Sequence, residues 1–411
     1  MILPAITART EPSTAFRRTA ATTIAGVCAF LTLYAPQPVL PYLARRFQVS
    51  AAQISLVVSA ATFGVAMSAP FAGMIADRFG RKRLIVVSLF GLALSTVLAA
   101  SATTLNLLVL WRFLAGVFTP GIIASVLAYI AEEWPGKGSA KATAMYVSGT
   151  VLGGFIGRVL TGLLSDHGGW KLSFLILGLM TLAGAIAVLR FLPASRNFLR
   201  QSGLRRSLSD SARHLRNPVL IATFVVGFSV LFSLVGTFTY ITFHLAAAPY
   251  WLRPAQQGML FFVYLLGLVI TPASGSLIQK IGHNRAVPLA VGVSSIGVLL
   301  TLAGPLWLII VGLAICSSGV FVCQAAASAY VGLAADRARS SAAGLYVTFY
   351  YLGGSAGAVV PGYVWSRAGW PGCIALIVVV QLVAGTIAFV FWKPPAAIAR
   401  GGRPRGNTVS P

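Results

Sequence analysis

Residues 286–335 read AVPLAVGVSSIGVLLTLAGPLWLIIVGLAICSSGVFVCQAAASAYVGLAA, fifty positions in a row without Asp, Glu, Lys or Arg. A helix crosses about 30 Å of hydrocarbon with roughly 20 apolar residues. The stretch therefore holds two crossings, hinged at Ala303-Gly304-Pro305. Outward from it, the chain keeps the same character. Of 411 residues, 57% are hydrophobic and 9% charged, and mean hydropathy is +0.85; a soluble domain carries about 25% charged residues. Soluble enzymes, secreted disulfide scaffolds and disordered chains are excluded on that ground. Twelve apolar runs lie near 19–43, 52–76, 84–102, 105–131, 140–165, 170–192, 217–246, 255–279, 286–303, 305–334, 341–366 and 370–392. The first follows Arg17-Arg18 but is too long for a signal-peptide core and has no small-residue cleavage site, so it is read as a retained helix.

The formal net charge of +24 raises the question of a nucleic-acid partner. The basic residues fall between apolar runs, however, where they set membrane orientation. With the N-terminus placed in the cytoplasm, 24 of them lie on the cytoplasmic side and only Arg45, Arg46, Lys171, Arg253 and Arg367 outside. Both termini are expected inside, and no nucleic-acid partner is expected. Cys28, Cys316, Cys323 and Cys373 sit in or beside apolar runs without CxxC or Cys/His spacing, so they read as small apolar side chains; no metal and no cofactor are expected. A Walker loop, a Ser/His/Asp arrangement and an HExxH motif are all lacking, which argues against ATP as the energy source and against an enzyme.

The chain also repeats itself. Tyr146-Val147, Leu152-Gly153-Gly154, Gly157, Gly162 and Gly169-Trp170 match Tyr346-Val347, Leu352-Gly353-Gly354, Gly357, Gly362 and Gly369-Trp370 at an offset of 200. Gly73, Gly80 and Arg83 match Gly275, Gly282 and Arg285 at 202. The expected organisation is a cytoplasmic N-tail (1–18), a six-helix bundle (19–192), a basic linker (193–216), a second six-helix bundle (217–392) and a cytoplasmic C-tail (393–411). Parallel repeats of this kind are a transporter architecture with the substrate site near the midplane.

After the second run comes Gly73-Met74-Ile75-Ala76-Asp77-Arg78-Phe79-Gly80-Arg81-Lys82-Arg83. It resembles the cytoplasmic-loop signature of the major facilitator superfamily. The resemblance implies an all-α polytopic membrane protein with the MFS fold, twelve transmembrane helices in two six-helix bundles related by pseudo-twofold symmetry. It implies a gating latch at Gly73, Asp77, Arg78, Gly80, Arg81 and Arg83. Glu132 and Glu133 end the fourth run on the same side and are expected to partner Arg78 or Arg81. The second copy has Gln279 and His283 in place of Asp77 and Arg81, so a weaker latch is expected there.

Two arginines lie inside apolar runs, where a cation costs about 2.5–3.5 kcal/mol on insertion scales. Arg112, in Trp111-Arg112-Phe113-Leu114-Ala115-Gly116, either snorkels to the interface or serves function; its likeness to the span-4 arginine of proton-coupled members implies proton coupling. Arg158 closes Gly149-Thr150-Val151-Leu152-Gly153-Gly154-Phe155-Ile156-Gly157-Arg158, which resembles the glycine-rich span-5 motif of drug:proton antiporters. It departs from that motif, with Gly154 in place of its proline and Arg158 in place of its last glycine. Arg158 either faces the central cavity or is a structural residue paired to a backbone carbonyl or to Asp166. Helix packing is expected of Gly149, Gly153, Gly154, Gly157, Gly353, Gly354 and Gly357.

Of the seven acidic residues, Glu11 and Asp210 fall in tails or loops, and Asp77, Glu132, Glu133, Asp166 and Asp336 at run ends. A cavity with two arginines and no mid-membrane carboxylate favours anionic, zwitterionic or neutral solutes over cations. Tyr34, Gln37, Tyr240, His244, Tyr264, Gln324 and Tyr350 join the two arginines as substrate- or proton-cavity candidates, the tyrosines alternatively being interfacial anchors. Pro36, Pro38 and Pro41 are expected to bend the first run. Gly157–Gly162, Leu192–Phe198 and Tyr350–Gly353 resemble the YnfM-type branch of bacterial inner-membrane facilitators, in the drug- and metabolite-efflux group. The expectation is therefore a monomeric secondary transporter of the bacterial inner membrane, exporting a small organic solute by proton-coupled antiport. Proton-coupled uptake and a transport-inactive sensor are the alternatives.

Overall fold

The computed structural model describes residues 12–134, 137–195, 212–335 and 337–392. The outer parts of both tails, linker residues 196–211, Glu11, Asp210 and Asp336 lie outside the described residues. Among the described residues the structure is helical, without strands: α1 (Pro12–Leu31), α2 (Leu40–Phe47), α3 (Ala51–Phe79), α4 (Arg81–Ala100), α5 (Leu105–Glu133), α6 (Lys137–Phe191), α7 (Pro218–Leu245), α8 (Pro254–Met259), α9 (Gly267–Ile281), α10 (His283–Leu300), α11 (Leu306–Ala334) and α12 (Arg339–Phe391). A 3₁₀ segment, Gln37–Val39, precedes α2, and another, Leu260–Leu266, joins α8 to α9.

Local chemistry explains the boundaries. Thr104 caps α5 by accepting from the Leu107 amide, and Asn217 caps α7 by accepting from Val219 and Leu220, which satisfies amides that a helix start leaves open. Pro218 follows as the first helical residue of α7, where its missing N–H costs nothing. Gly80 and Gly282, with φ of 91° and 84°, separate α3 from α4 and α9 from α10, a conformation only glycine adopts freely. Gly169 (φ 76°) and Gly369 (φ 58°) break α6 and α12 in the same way. With α6 and α12 divided there, and the 254–281 segment counted once, the described residues form twelve helical segments of 18 residues or more. Val87, Leu94, Val269, Val390 and Phe389 are exposed, as a lipid-facing surface requires.

The chain divides into two compact units. The first draws on Met1–Val39, Met67–Gln201 and Arg253–Met259; the second on Leu40–Ala66, Ser202–Leu252 and Leu260–Pro411. In the first, Ala25, Cys28, Leu89, Ile122, Tyr129 and Val188 belong to one buried core. Buried hydroxyls are satisfied largely by their own helix, as in Thr96 donating to Leu92 and Thr119 to Ala115.

The repeat is visible inside each unit. In the first, Gly149, Gly153 and Gly157 of α6 lie on the carbonyls of Thr23, Val27 and Leu31 of α1. In the second, Gly353 and Gly357 of α12 lie on Phe228 and Phe232 of α7, 201 residues after Val27 and Leu31. Gly162 packs on Pro254 within the first unit, and Gly362 on Ala52 within the second. Small residues allow this approach where no hydrophobic force between helices operates.

Gly157→Leu would drive its side chain into the Leu31 backbone. It is expected to cost upward of about 1–3 kcal/mol, read as a lower unfolding temperature of the detergent-purified protein. Gly73→Ala, whose added Cβ meets nothing within 4 Å, is expected to leave that temperature unchanged.

Candidate functional site

The first unit carries two polar centres. One is ionic and is built from the ends of α1, α3, α4 and α5. Arg81 meets Asp77 at 2.6 Å, and its Nε and Nη2 donate to Glu132 Oε1 at 3.0 and 2.9 Å. The turn at Gly80 lets Asp77 and Arg81, on successive helices, face each other. Arg18 pairs with Glu133 at 3.5 Å, and the Ser195 hydroxyl donates to Glu132 Oε2 at 3.2 Å and to Glu133 Oε1 at 3.0 Å. Arg18, Arg81 and Glu133 are buried. Tyr129 donates to the Pro193 carbonyl at 3.1 Å, so the segment after α6 is tied to this centre twice.

Of the residues the sequence placed in a latch, the structure brings together Asp77, Gly80, Arg81, Glu132 and Glu133. Arg78 and Arg83 are exposed, with the Arg78 guanidinium 5.6 Å over the Phe79 ring. Arg18 and Ser195 were missed. Arg18 reads in sequence as one more orienting charge, and Ser195 as part of a polar linker. In the second repeat the equivalent position carries His283, which lies 5.6 Å from Tyr330, itself stacked on Trp392 at 4.2 Å. Among the described residues, rings meet at this position of the second repeat.

The other centre of the first unit surrounds Arg158, on α6, which is 3% exposed. Its Nε donates to Gln37 Oε1 at 2.8 Å and its Nη1 to the Gly154 carbonyl at 2.8 Å. Its guanidinium lies 4.9 Å over the Tyr34 ring, within cation–π range. Gln37 and Tyr34 are buried. Gly154 leaves room for this arginine, since a Cβ there would lie 3.3 Å from Nη1. Three residues flagged separately in the sequence thus form one group. Asp166 lies two turns on and accepts from the Ala255 amide at 3.3 Å. Arg112 is buried nearby in the same unit and donates to the carbonyls of Thr32 and Leu33.

The second unit carries clusters of aromatic side chains. Tyr346 donates to Gln324 at 3.0 Å, stacks on Tyr350 at 6.0 Å, and Tyr350 meets Tyr351 edge-on at 5.3 Å. Tyr264 meets Phe238 at 4.5 Å and Phe321 at 5.7 Å. Tyr240 donates to the Ala358 carbonyl at 2.7 Å and to Ser55 at 3.3 Å. His244 packs on Trp370 and Tyr250. Phe224 stacks on Phe349.

With this geometry in hand, comparison with known proteins decides the family. The sequence profile of the Major Facilitator Superfamily matches residues 22–251 and 243–409. The chain belongs to this superfamily. Among relatives of this facilitator, the inner membrane transport protein YnfM of Escherichia coli K12 is 33% identical over 366 residues, covering 88% of each chain. A gentisate transporter of Corynebacterium glutamicum is 27% identical over 281 residues, covering 64% of this chain and 61% of its own. The inward-facing, unoccupied crystal structure of a bacterial homologue of the human lysosomal transporter Spinster superimposes with a TM-score of 0.76 at 16% identity, over 93% of this chain and 97% of the other. The protein is a membrane transporter and not an enzyme.

Asp77→Asn, which keeps shape and removes charge, is expected to leave membrane insertion intact and to slow transport by this facilitator. Arg78→Gln is expected to leave both unchanged. Flux and abundance in the same reconstituted vesicles check this, and normal flux in Asp77→Asn would count against a gating role for Asp77.

Proposed function

We propose that this facilitator exports a small organic anion across the bacterial inner membrane by alternating access, coupled to inward proton flow. Zwitterions and neutral solutes come next in preference and cations last. The observation that carries the reading is Arg158: a buried guanidinium, aimed by the neutral acceptors Gln37 and Gly154 and covered by Tyr34. Gln37 Oε1 and the Gly154 carbonyl fix the guanidinium's orientation, and neither carries a formal charge. Two unit charges 4 Å apart interact by about 4 kcal/mol at an effective dielectric constant of 20. An arginine so placed favours an anion and repels a cation. No acidic residue occurs within the central part of any apolar run to reverse that preference.

Other observations support the remaining parts. The 24-to-5 distribution of basic residues favours both termini in the cytoplasm, which puts Asp77, Arg81 and Glu132 on the cytoplasmic side as the latch. Likeness to YnfM supports the inner membrane, and the relative named a gentisate transporter supports an organic anion. The protein acts as a monomer in this reading, with lipid, solute and proton as its partners.

Flux into vesicles with an imposed pH gradient, compared across anionic, zwitterionic and cationic organic solutes, tests the proposal. Anions are expected to move fastest, in the direction opposite to the proton. Arg158→Ala is expected to abolish that flux, and Arg45→Ala to change it little. Cation transport, or equally mild effects of the two substitutions, would overturn the selectivity; flux in the same direction as the proton would make the protein an uptake symporter.

A further inference from the structure

The first span is broken between Leu31 and Gln37, and its breakage creates a specific shortage of donors. Pro36 stands four residues after Thr32, and Pro38 four after Tyr34, so the amides that an unbroken helix would send to those carbonyls do not exist. The Gln37 amide turns to Tyr34 O at 3.1 Å, leaving the Leu33 carbonyl without its helical donor as well. Ala35 N reaches Thr32 O only at 3.4 Å. Inside hydrocarbon such carbonyls need donors from elsewhere.

Arg112 supplies them. It reaches from α5, 1% exposed, with Nη1 donating to the Thr32 carbonyl at 2.9 Å and Nη2 to the Leu33 carbonyl. The next residue, Tyr34, carries the ring beneath Arg158, and Gln37 carries the amide that Arg158 grips. One short segment is therefore held at its start by one arginine and presents both of its site side chains to the other.

The second repeat is an internal control. At an offset of 201, Pro36 corresponds to Thr237, and α7 runs unbroken from Pro218 to Leu245. At the same offset Arg112 corresponds to Leu313, which is fully buried. Proline and arginine are present together in the first repeat and absent together in the second.

We propose that Arg112 is a positioning residue whose planar fork replaces the amides lost at the Pro36 break and so holds Tyr34 and Gln37 against Arg158. Its functional consequence rests on reading Arg158 as the anion-binding group; its structural content does not. The role requires two donors in one plane aimed at adjacent carbonyls, which lysine cannot offer.

Hydrogen exchange of the purified full-length protein in lipid nanodiscs tests it, read on peptides spanning residues 30–40. Arg112→Gln and Arg112→Lys are each expected to speed exchange there about tenfold or more, the scale of a lost charge-assisted bond. Adding Pro36→Ala to Arg112→Gln is expected to restore slow exchange, because residue 36 regains an N–H. Pro36→Ala alone, which keeps Arg112, is expected to exchange no faster than the parent. In flux assays the Arg112 variants should raise the half-saturation concentration while the pH profile stays fixed. Parental exchange in either Arg112 variant, or no rescue by Pro36→Ala, would overturn the proposal, as would a shifted pH profile. Undiminished anion flux in Arg158→Ala would instead overturn the binding reading and leave the exchange result standing.

Discussion

A backbone carbonyl inside hydrocarbon has no water to fall back on, and the first span of this protein contains a run of them whose own helix has been interrupted by proline. The polar architecture of the first unit follows from that constraint. Pro36 and Pro38 open the helix, which turns Tyr34 and Gln37 toward α6; Arg112 and Arg158 then close over the opening from two different helices. Each guanidinium buried there is held by named acceptors, which is how a cation is tolerated at depth. The glycine seam between α6 and α1 makes the same arrangement possible, because Gly153 and Gly157 bring the α6 backbone, and Arg158 with it, onto the end of α1.

The two repeats keep a common frame and divide the chemistry. Glycine seams, positive-φ breaks at Gly169 and Gly369, and turns at Gly80 and Gly282 recur at nearly constant offset. The cations do not: Arg112 and Arg158 correspond to Leu313 and Ala358, and the ionic cluster around Arg81 corresponds to rings around His283. Duplication preserved what packing demands, and the side chains free of that demand diverged.

Much of this was readable in the sequence because membrane physics writes it plainly. Twelve apolar runs, the offset-200 matches and the Gly73–Arg83 signature each reflect a rule with few exceptions. Arg158, Gln37 and Tyr34 stood out because polar groups are rare in such runs, yet their mutual contact spans 121 residues of chain and depends on how α6 lies on α1. The targets of Arg112 were illegible for a different reason: they are backbone carbonyls, which have no letter of their own, although Pro36 four residues beyond Thr32 marked where one would be orphaned. Arg18 and Ser195 were hidden among orienting charges and linker residues. Nothing in the pattern of 255–279 announced that Leu260–Leu266 tightens into 3₁₀ geometry.

The central claim is that a fixed cation at residue 158 receives the solute's negative charge. The most direct measurement is an experimental structure of the facilitator with a bromine-labelled organic carboxylate it transports, the anomalous signal locating the solute. The account predicts a carboxylate within hydrogen-bond reach of the Arg158 guanidinium. A well-ordered solute bound with its carboxylate away from Arg158 would contradict it.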